Sequence, residues 1–323
     1  NFDLPKSVDI DKYLKKLFPI NRSLTGSGNK QTINILNEIV PLNIKEIKSN
    51  TQVYDWTIPP EWSIRDGYIK NANGKKIVDW KNNNLSVVNY SMPINKKVSK
   101  NELLKHLFTL EKHPDWVPYR TCYYNRDWGF CTKHSLLNSE DFIEPFEVFI
   151  DADFNNNGKL IYADALHKGE SEDEILISSY LCHPSLANDN LSGILTAVLF
   201  FNHIKKIKTH YTYRLVLCPE TIGALAFLSQ LNDVKKIKCS AVITCTAGPG
   251  CISVKKSFIG DHFIDKLAQI AISKVEKNFI EYPFIPIGSD ERQYSSPGFR
   301  IPTISICKSK YYEYKEYHTS LDN

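Results

Sequence analysis

Residues 175–208 read ILISSYLCHPSLANDNLSGILTAVLFFNHIKKIK. The stretch opens on a continuous apolar run, ILISSYL, which suits a strand buried on both faces. It breaks at a polar, Pro-containing loop and resumes as a helix in NLSGILTAVLFFNHIKKIK. Downstream the pattern repeats: YTYRLVLCP, CSAVITCT and IPTISIC read as strands, TIGALAFLSQL and DHFIDKLAQIAISKV as helices. Alternating strands and helices give an α/β fold with helices on both faces of a sheet. Such sheets bind their ligands just beyond the carboxyl ends of the strands, so those ends carry the functional reading.

Upstream, FEVFIDADFNNNGKLIYADALHKG reads as a hairpin turning at Asn157-Gly158. The first fifty residues read as helices, VDIDKYLKKLFPI and KQTINILNEIV, around a Gly-rich turn. From Thr51 to Leu137 the character changes. VYDWTIPPEW, NANGKKIVDW and LSVVNYS are dense in aromatic, Pro and Asn-Gly signals, as in short strands joined by tight turns. One short helix, SKNELLKHLF, interrupts them, with Ser99 as N-cap and Glu102 as its capping-box partner. The expected organisation is a main domain of residues 1–50 and 138–323 with a small, mostly β domain inserted over 51–137.

A chain of 323 residues, 42% apolar, can bury one large core and carry a second unit. Its 40 basic and 36 acidic residues leave a net charge of +4. The basic blocks Lys96–Lys100 and Lys205–Lys208 are short and flank apolar segments, so they read as solvated faces and no nucleic-acid partner is expected. No apolar run reaches membrane-spanning length, and NFDLPKSVDIDKYL lacks the features of a secretory leader. A cytoplasmic protein without membrane contact is expected. The eight cysteines, at 122, 131, 182, 218, 239, 245, 251 and 307, include no CxxC pair and read as reduced core thiols rather than zinc thiolates. Oligomeric state is not legible.

Three strand ends carry unusual polar residues. CHPSLANDNLSG places His183 and Asp189 on one loop, and an imidazole with a carboxylate is a borderline-soft zinc pair. Asp189 can equally cap the helix beginning near Leu191. LCPETIG puts Glu220 where a strand stops and a helix begins, a position suited to capping or to general-base catalysis beside a metal. After IPTISIC, the segment KSKYYEYKEYHTSLDN brings His318, a third ligand that leaves one zinc position for water. Tyr317 beside it, with Asp290 and Glu291 of GSDERQYSSPGF, are candidate additional ligands or substrate contacts on a pocket rim. Trp56, Trp62, Trp80 and Trp128 suit either core packing of the insert or stacking on sugar rings.

The order His183, Asp189 in Asp-Asn-x-Ser-Gly, Glu220 and a terminal Tyr-His-Thr resembles the zinc aminopeptidases that hold two metals. LFPINRSLTG, VYDWTIPPEW, YYNRDWGFC, CHPSLANDNLSG, PETIG and EYHTSLDN are similar to one branch, the aminopeptidase-like domain proteins associated with polysaccharide biosynthesis. The resemblance implies a three-layer αβα sandwich on a mixed, mostly parallel sheet, with a small β insert. It implies a zinc-dependent hydrolase acting on a small peptide or amide, with His183, Asp189 and His318 as ligands and Glu220 as base. It also implies a cis bond between Asp189 and Asn190, and a winged-helix-like segment following EYHTSLDN in family members. The chain departs from the pattern at Thr221, where a second glutamate ligand belongs, and in TCTAGPG, which has no aspartate. One zinc ion rather than two is therefore expected, with Glu220 or Asp290 available as a further ligand. An amidohydrolase acting on an N-acyl sugar, and a catalytically degenerate accessory protein of surface polysaccharide synthesis, stand as alternatives.

Overall fold

The computed structural model describes residues 8–285 and 288–323. Along the chain its principal strands are β1 (Asn43–Lys48), β2 (Glu61–Lys70), β3 (Lys76–Asp79), β4 (Ile94–Val98), β5 (Phe146–Asn155), β6 (Lys159–His167), β7 (Glu174–Tyr180), β8 (Thr212–Cys218), β9 (Ile237–Ile243), β10 (Ser253–Lys255), β11 (Ile280–Tyr282) and β12 (Thr303–Cys307). Its helices are α1 (Ile10–Leu17), α2 (Ser27–Leu36), α3 (Gly193–Ile204), α4 (Ile222–Ser229), α5 (Phe263–Ser273) and the short α6 (Glu291–Tyr294), with a single turn at Lys100–Leu103 capped by Ser99.

An eight-stranded sheet, in the order β1-β6-β8-β7-β9-β12-β10-β11, organises the molecule. Its centre, β8-β7-β9-β12, is parallel, and antiparallel pairings extend it on both sides. Side chains alternate between the faces. Ile175, Ile177, Leu215, Leu217, Ala241 and Ile243 pack with α1, α2, α3 and α5 on one side, whereas Leu176, Val216, Cys218 and Val242 pack with α4 on the other. This is the three-layer α/β sandwich with a mixed sheet. Gly193 lets α3 begin hard against the sheet: a Cβ there would lie 2.6 Å from the Ile243 carbonyl oxygen.

The second sheet, β3-β2-β5-β4, is antiparallel. Ile69, Val78, Phe146, Val148 and Ile150 from it share one apolar cluster with Val216, Val242 and α4 of the main sheet. Its strand β5 lies beyond residue 137, where the sequence reading ended the insert. The expected hairpin of β5 and β6 also does not form. The chain turns at Asn157-Gly158, but β5 pairs with β2 and β4 while β6 pairs with β1 and β8. Gly158 permits the divergence, since a Cβ there would sit 2.2 Å from that of Glu61. β1, within the stretch read as helical, pairs over its whole length with Lys159 to Asp164 of β6 as an edge strand. Trp62 is buried, donates to the Ser91 carbonyl at 2.9 Å and stacks on Tyr90, while Trp56, Trp80 and Trp128 pack against the same core. These indoles serve packing. Among the described residues no helix is long and apolar enough to cross a membrane.

Candidate metal centre

The crevice lies where β7, β8, β9 and β12 end. Beyond β7 the chain leaves the sheet through Cys182 and His183, both buried, and reaches Asp189, which is 1% exposed. The peptide bond between Asp189 and Asn190 is cis. His318 returns from the segment after β12 to complete a group with His183 and Asp189, whose ligand atoms all lie within 4.8 Å of one another. His318 Nε2 is 2.9 Å from Asp189 Oδ2, and His183 Nε2 is 4.0 Å from the same oxygen.

Neighbours fix each ligand. The Tyr180 hydroxyl, at the end of β7, donates to Asp189 Oδ1 at 2.5 Å. The buried Arg22 guanidinium donates through Nε to the His183 carbonyl at 2.9 Å. Asp322 accepts the Asn188 and Asp189 amides at 2.5 and 3.1 Å, and the Tyr314 hydroxyl at 2.8 Å. The Tyr119 ring stands beside both histidines, with centroids 5.2 and 5.1 Å away, and Tyr317 stacks on His318 at 3.8 Å. Arg22, Tyr119, Tyr180 and Asp322 are contributors that the sequence reading did not single out. Arg22 and Asp322 lay inside the quoted phrases LFPINRSLTG and EYHTSLDN, which is the one signal that pointed near them.

Burial lowers the pKa of His183 to about 4, leaving its imidazole neutral with a free lone pair at neutral pH. Burial pushes Asp189 up, but His183, His318 and the Tyr180 hydroxyl outweigh it and hold the carboxylate at about 2. Two imidazoles and a carboxylate are a zinc ligand set. The buried atoms Asp189 Oδ2 and His318 Nε2 have no hydrogen-bond partner although they face each other closely. Tetrahedral zinc with bonds of about 2 Å separates its ligand atoms by roughly 3.3 Å, a value that 2.9 and 4.0 Å bracket. The residues fit the ion.

Glu220 follows β8 and falls in a second group with Cys182 and His183, again within 4.8 Å. It is displayed by an unusual turn. Thr221 has φ 61 and ψ −74, and the Ile222 amide bonds back to the Glu220 carbonyl at 2.8 Å, a γ-turn of the rarer, strained hand. Asp290 holds this turn by accepting the Thr221 amide at 2.7 Å. Burial, then the nearby Asp290 and Asp189, push the Glu220 carboxyl well above its ordinary range. Asp290 and Glu291 are themselves wholly buried rather than set on an exposed rim, and Glu291 forms an ion pair with the buried Lys255.

A Clostridium acetobutylicum protein, whose name joins polysaccharide biosynthesis to an aminopeptidase-like domain, is 41% identical over 316 residues, covering 98% of this chain and 72% of its own length. A crystal structure of a Clostridium acetobutylicum protein superposes with a TM-score of 0.93 at 41% identity, over 97% of this chain and 74% of that one. More distantly, the zinc aminopeptidase of Bacillus subtilis shares the fold at 11% identity and a TM-score of 0.66, covering 99% and 90%. An M28 peptidase precursor of Shewanella amazonensis shares it at 12% and 0.64, covering 97% and 86%. The architecture is therefore that of the zinc aminopeptidase-like proteins, and the chain belongs to the family described as a domain of unknown function, DUF4910, whose model matches residues 11–323.

Proposed function

We propose that this chain is a zinc-dependent hydrolase of peptide or other amide bonds, holding one ion on His183, Asp189 and His318. The observation that carries the reading is the pair of buried, unpartnered ligand atoms on Asp189 and His318, converging with a neutral His183. Thr221, where the zinc aminopeptidases this chain resembles carry a second glutamate ligand, and the absence of an aspartate in TCTAGPG support one ion rather than two. Zinc bound there supplies Lewis-acid activation of water and of the amide carbonyl. Glu220, beside His183, takes a proton from the water and returns it to the leaving nitrogen. The hydroxyl ends on the carbonyl carbon, the C–N bond breaks, and the amine departs with the proton. A carboxyl with a raised pKa is better matched to that shuttle than an ordinary one.

The test is Glu220→Gln. Zinc content by elemental analysis is expected to stay at roughly one per chain, while turnover of an amide panel falls by about 10²–10⁴-fold. Turnover equal to wild type removes Glu220 from the mechanism. His318→Ala, by contrast, is expected to lose the zinc.

A further inference from the structure

A second cavity, of about 410 Å³, is lined by none of the residues used above. It is reached from the metal centre along α4. The Leu225 amide bonds to the Thr221 carbonyl at 3.1 Å, so Leu225, which lines the cavity, stands one helical turn, about 5 Å, beyond the turn that displays Glu220. Tyr124 links the two places from the other side: its ring stands edge-on to Trp56 at 5.2 Å, and its hydroxyl approaches the Thr221 side chain. Another wall comes from a tight hairpin that joins Gln52–Val53 to Trp56–Thr57. The first position of its two-residue loop has φ 54, a conformation that glycine ordinarily supplies, and Tyr54 occupies it. The Gln52 side chain clamps the turn, donating to the Tyr54 carbonyl at 2.7 Å and accepting from the Thr57 hydroxyl at 3.0 Å. The strained turn holds the half-exposed Tyr54 ring edge-on to Phe299, with centroids 5.1 Å apart.

The polar groups of the cavity come from α6. Gln293 is only 8% exposed, and its backbone amide is tied to the Asp290 carbonyl at 2.9 Å, yet its side-chain amide has no hydrogen-bond partner among the described residues. A primary amide buried to that degree is ordinarily paired. Arg292 beside it is exposed and faces no carboxylate at ion-pair distance among the described residues. A planar guanidinium next to a free amide N–H offers donors in the fork arrangement that a carboxylate matches. The rings of Tyr54, Trp56 and Phe299, with Leu225, suit the apolar body that carries such a group. Asp55, exposed in the hairpin loop, is the one acidic residue of the lining. Its charge opposes a dianion more than a monoanion, which favours a carboxylate over a phosphate.

We propose that this cavity is a binding site for a carboxylate carried on an aromatic or aliphatic group, received by Arg292 and the Gln293 side chain. Its place as the subsite for an acidic end of the substrate rests on the hydrolase reading above; its ligand chemistry does not. The test titrates 3-phenylpropionate and its neutral counterpart 3-phenylpropanamide into the full chain, with zinc and after its removal, followed by ligand-observed NMR. The acid is expected to bind about tenfold tighter than the amide in both states, the scale of a charge-assisted hydrogen bond. Arg292→Ala and Gln293→Met should each weaken the acid by about tenfold and leave the amide unchanged, and Arg292→Lys, a cation without the fork, should recover part of the loss. Gln293→Met removes an amide that has no partner, so its melting temperature should not fall below that of the wild type, which separates lost binding from lost folding. Equal binding of acid and amide, acid binding that requires zinc, or acid binding that survives both substitutions overturns the proposal. Hydrolysis is read separately, by turnover in Glu220→Gln: zinc-independent acid binding stands if that reading fails, and turnover stands if the acid does not bind.

Discussion

The Tyr180 hydroxyl makes two short contacts, 2.5 Å to Asp189 Oδ1 and 2.6 Å to Thr244 Oγ1. It occupies one oxygen of the carboxylate, so that the other is the one turned toward the histidines. Tyr180→Phe keeps the ring and its packing but leaves Asp189 Oδ1 buried and unpaired. Partners that orient ligands in this way typically contribute 10- to 100-fold to metal affinity, and a weakening of zinc binding in that range is expected, read by competition with a chromophoric chelator. Unaltered affinity would mean that Asp189 is oriented without the hydroxyl. Arg22 works on the other ligand by a different route, through the His183 carbonyl rather than the ring. Its effect is on where the backbone sits.

At the scale of elements, the segment after β12 has little regular structure yet ties three parts of the site together. The Tyr119 amide bonds to the His318 carbonyl at 2.7 Å, the Ser320 amide to Val117 at 2.8 Å, and the Ala187 amide to the Asp322 carbonyl at 2.8 Å. With its side chain on the next two amides, Asp322 joins the segment that bears His318 to the loop that bears Asp189. Asp322→Ala is expected to cost about 2 kcal/mol, from buried amides left unpaired. Urea unfolding of the metal-free protein checks this, and zinc affinity should fall with it, partly restored in Asp322→Asn. The same geometry explains what could be read in advance. His183, Glu220 and His318 were legible because each is a polar residue following an apolar strand. Tyr180, Arg22 and Asp322 were not, because their work is a bond to a ligand side chain or to backbone far away in sequence, 161 residues for Arg22 to His183. The central strands showed as apolar runs. β10 and β11, three residues each, are too short to display a period, and β1 hides because NIKEIK has its apolar positions diluted by exposed charges.

Over the whole molecule, the shared cluster from Phe146 and Val148 through Val216 to α4 couples the small sheet to the main one, so the chain should unfold as a unit. Its stability should then report every buried titratable group at once. Burial, followed by Glu291, raises Asp290 to about 7, and burial raises Asp322 to about 6. In the unfolded chain both carboxyls lose their protons near pH 4, so above that the folded state binds more protons, and each group makes stability fall with rising pH by about 1.4 kcal/mol per unit until its folded value is passed. Glu220 acts in the same sense. His183 opposes them: the unfolded imidazole takes a proton below about 6.5 that the folded one refuses until about 4, so acidification across that window costs stability at the same rate. Three carboxyls outweigh one imidazole. The metal-free protein is therefore expected to melt higher at pH 5.5 than at pH 7.5 in calorimetry, and Asp290→Asn, neutral at both, should flatten that difference. Zinc opposes this trend, because its charge beside the protonated Glu220 favours release of that proton, so its affinity weakens with acid. The increment in melting temperature given by zinc should accordingly be larger at pH 7.5 than at pH 5.5, and a metal-free protein that loses stability between pH 7.5 and 5.5 would show that these carboxyls are ionised in the fold.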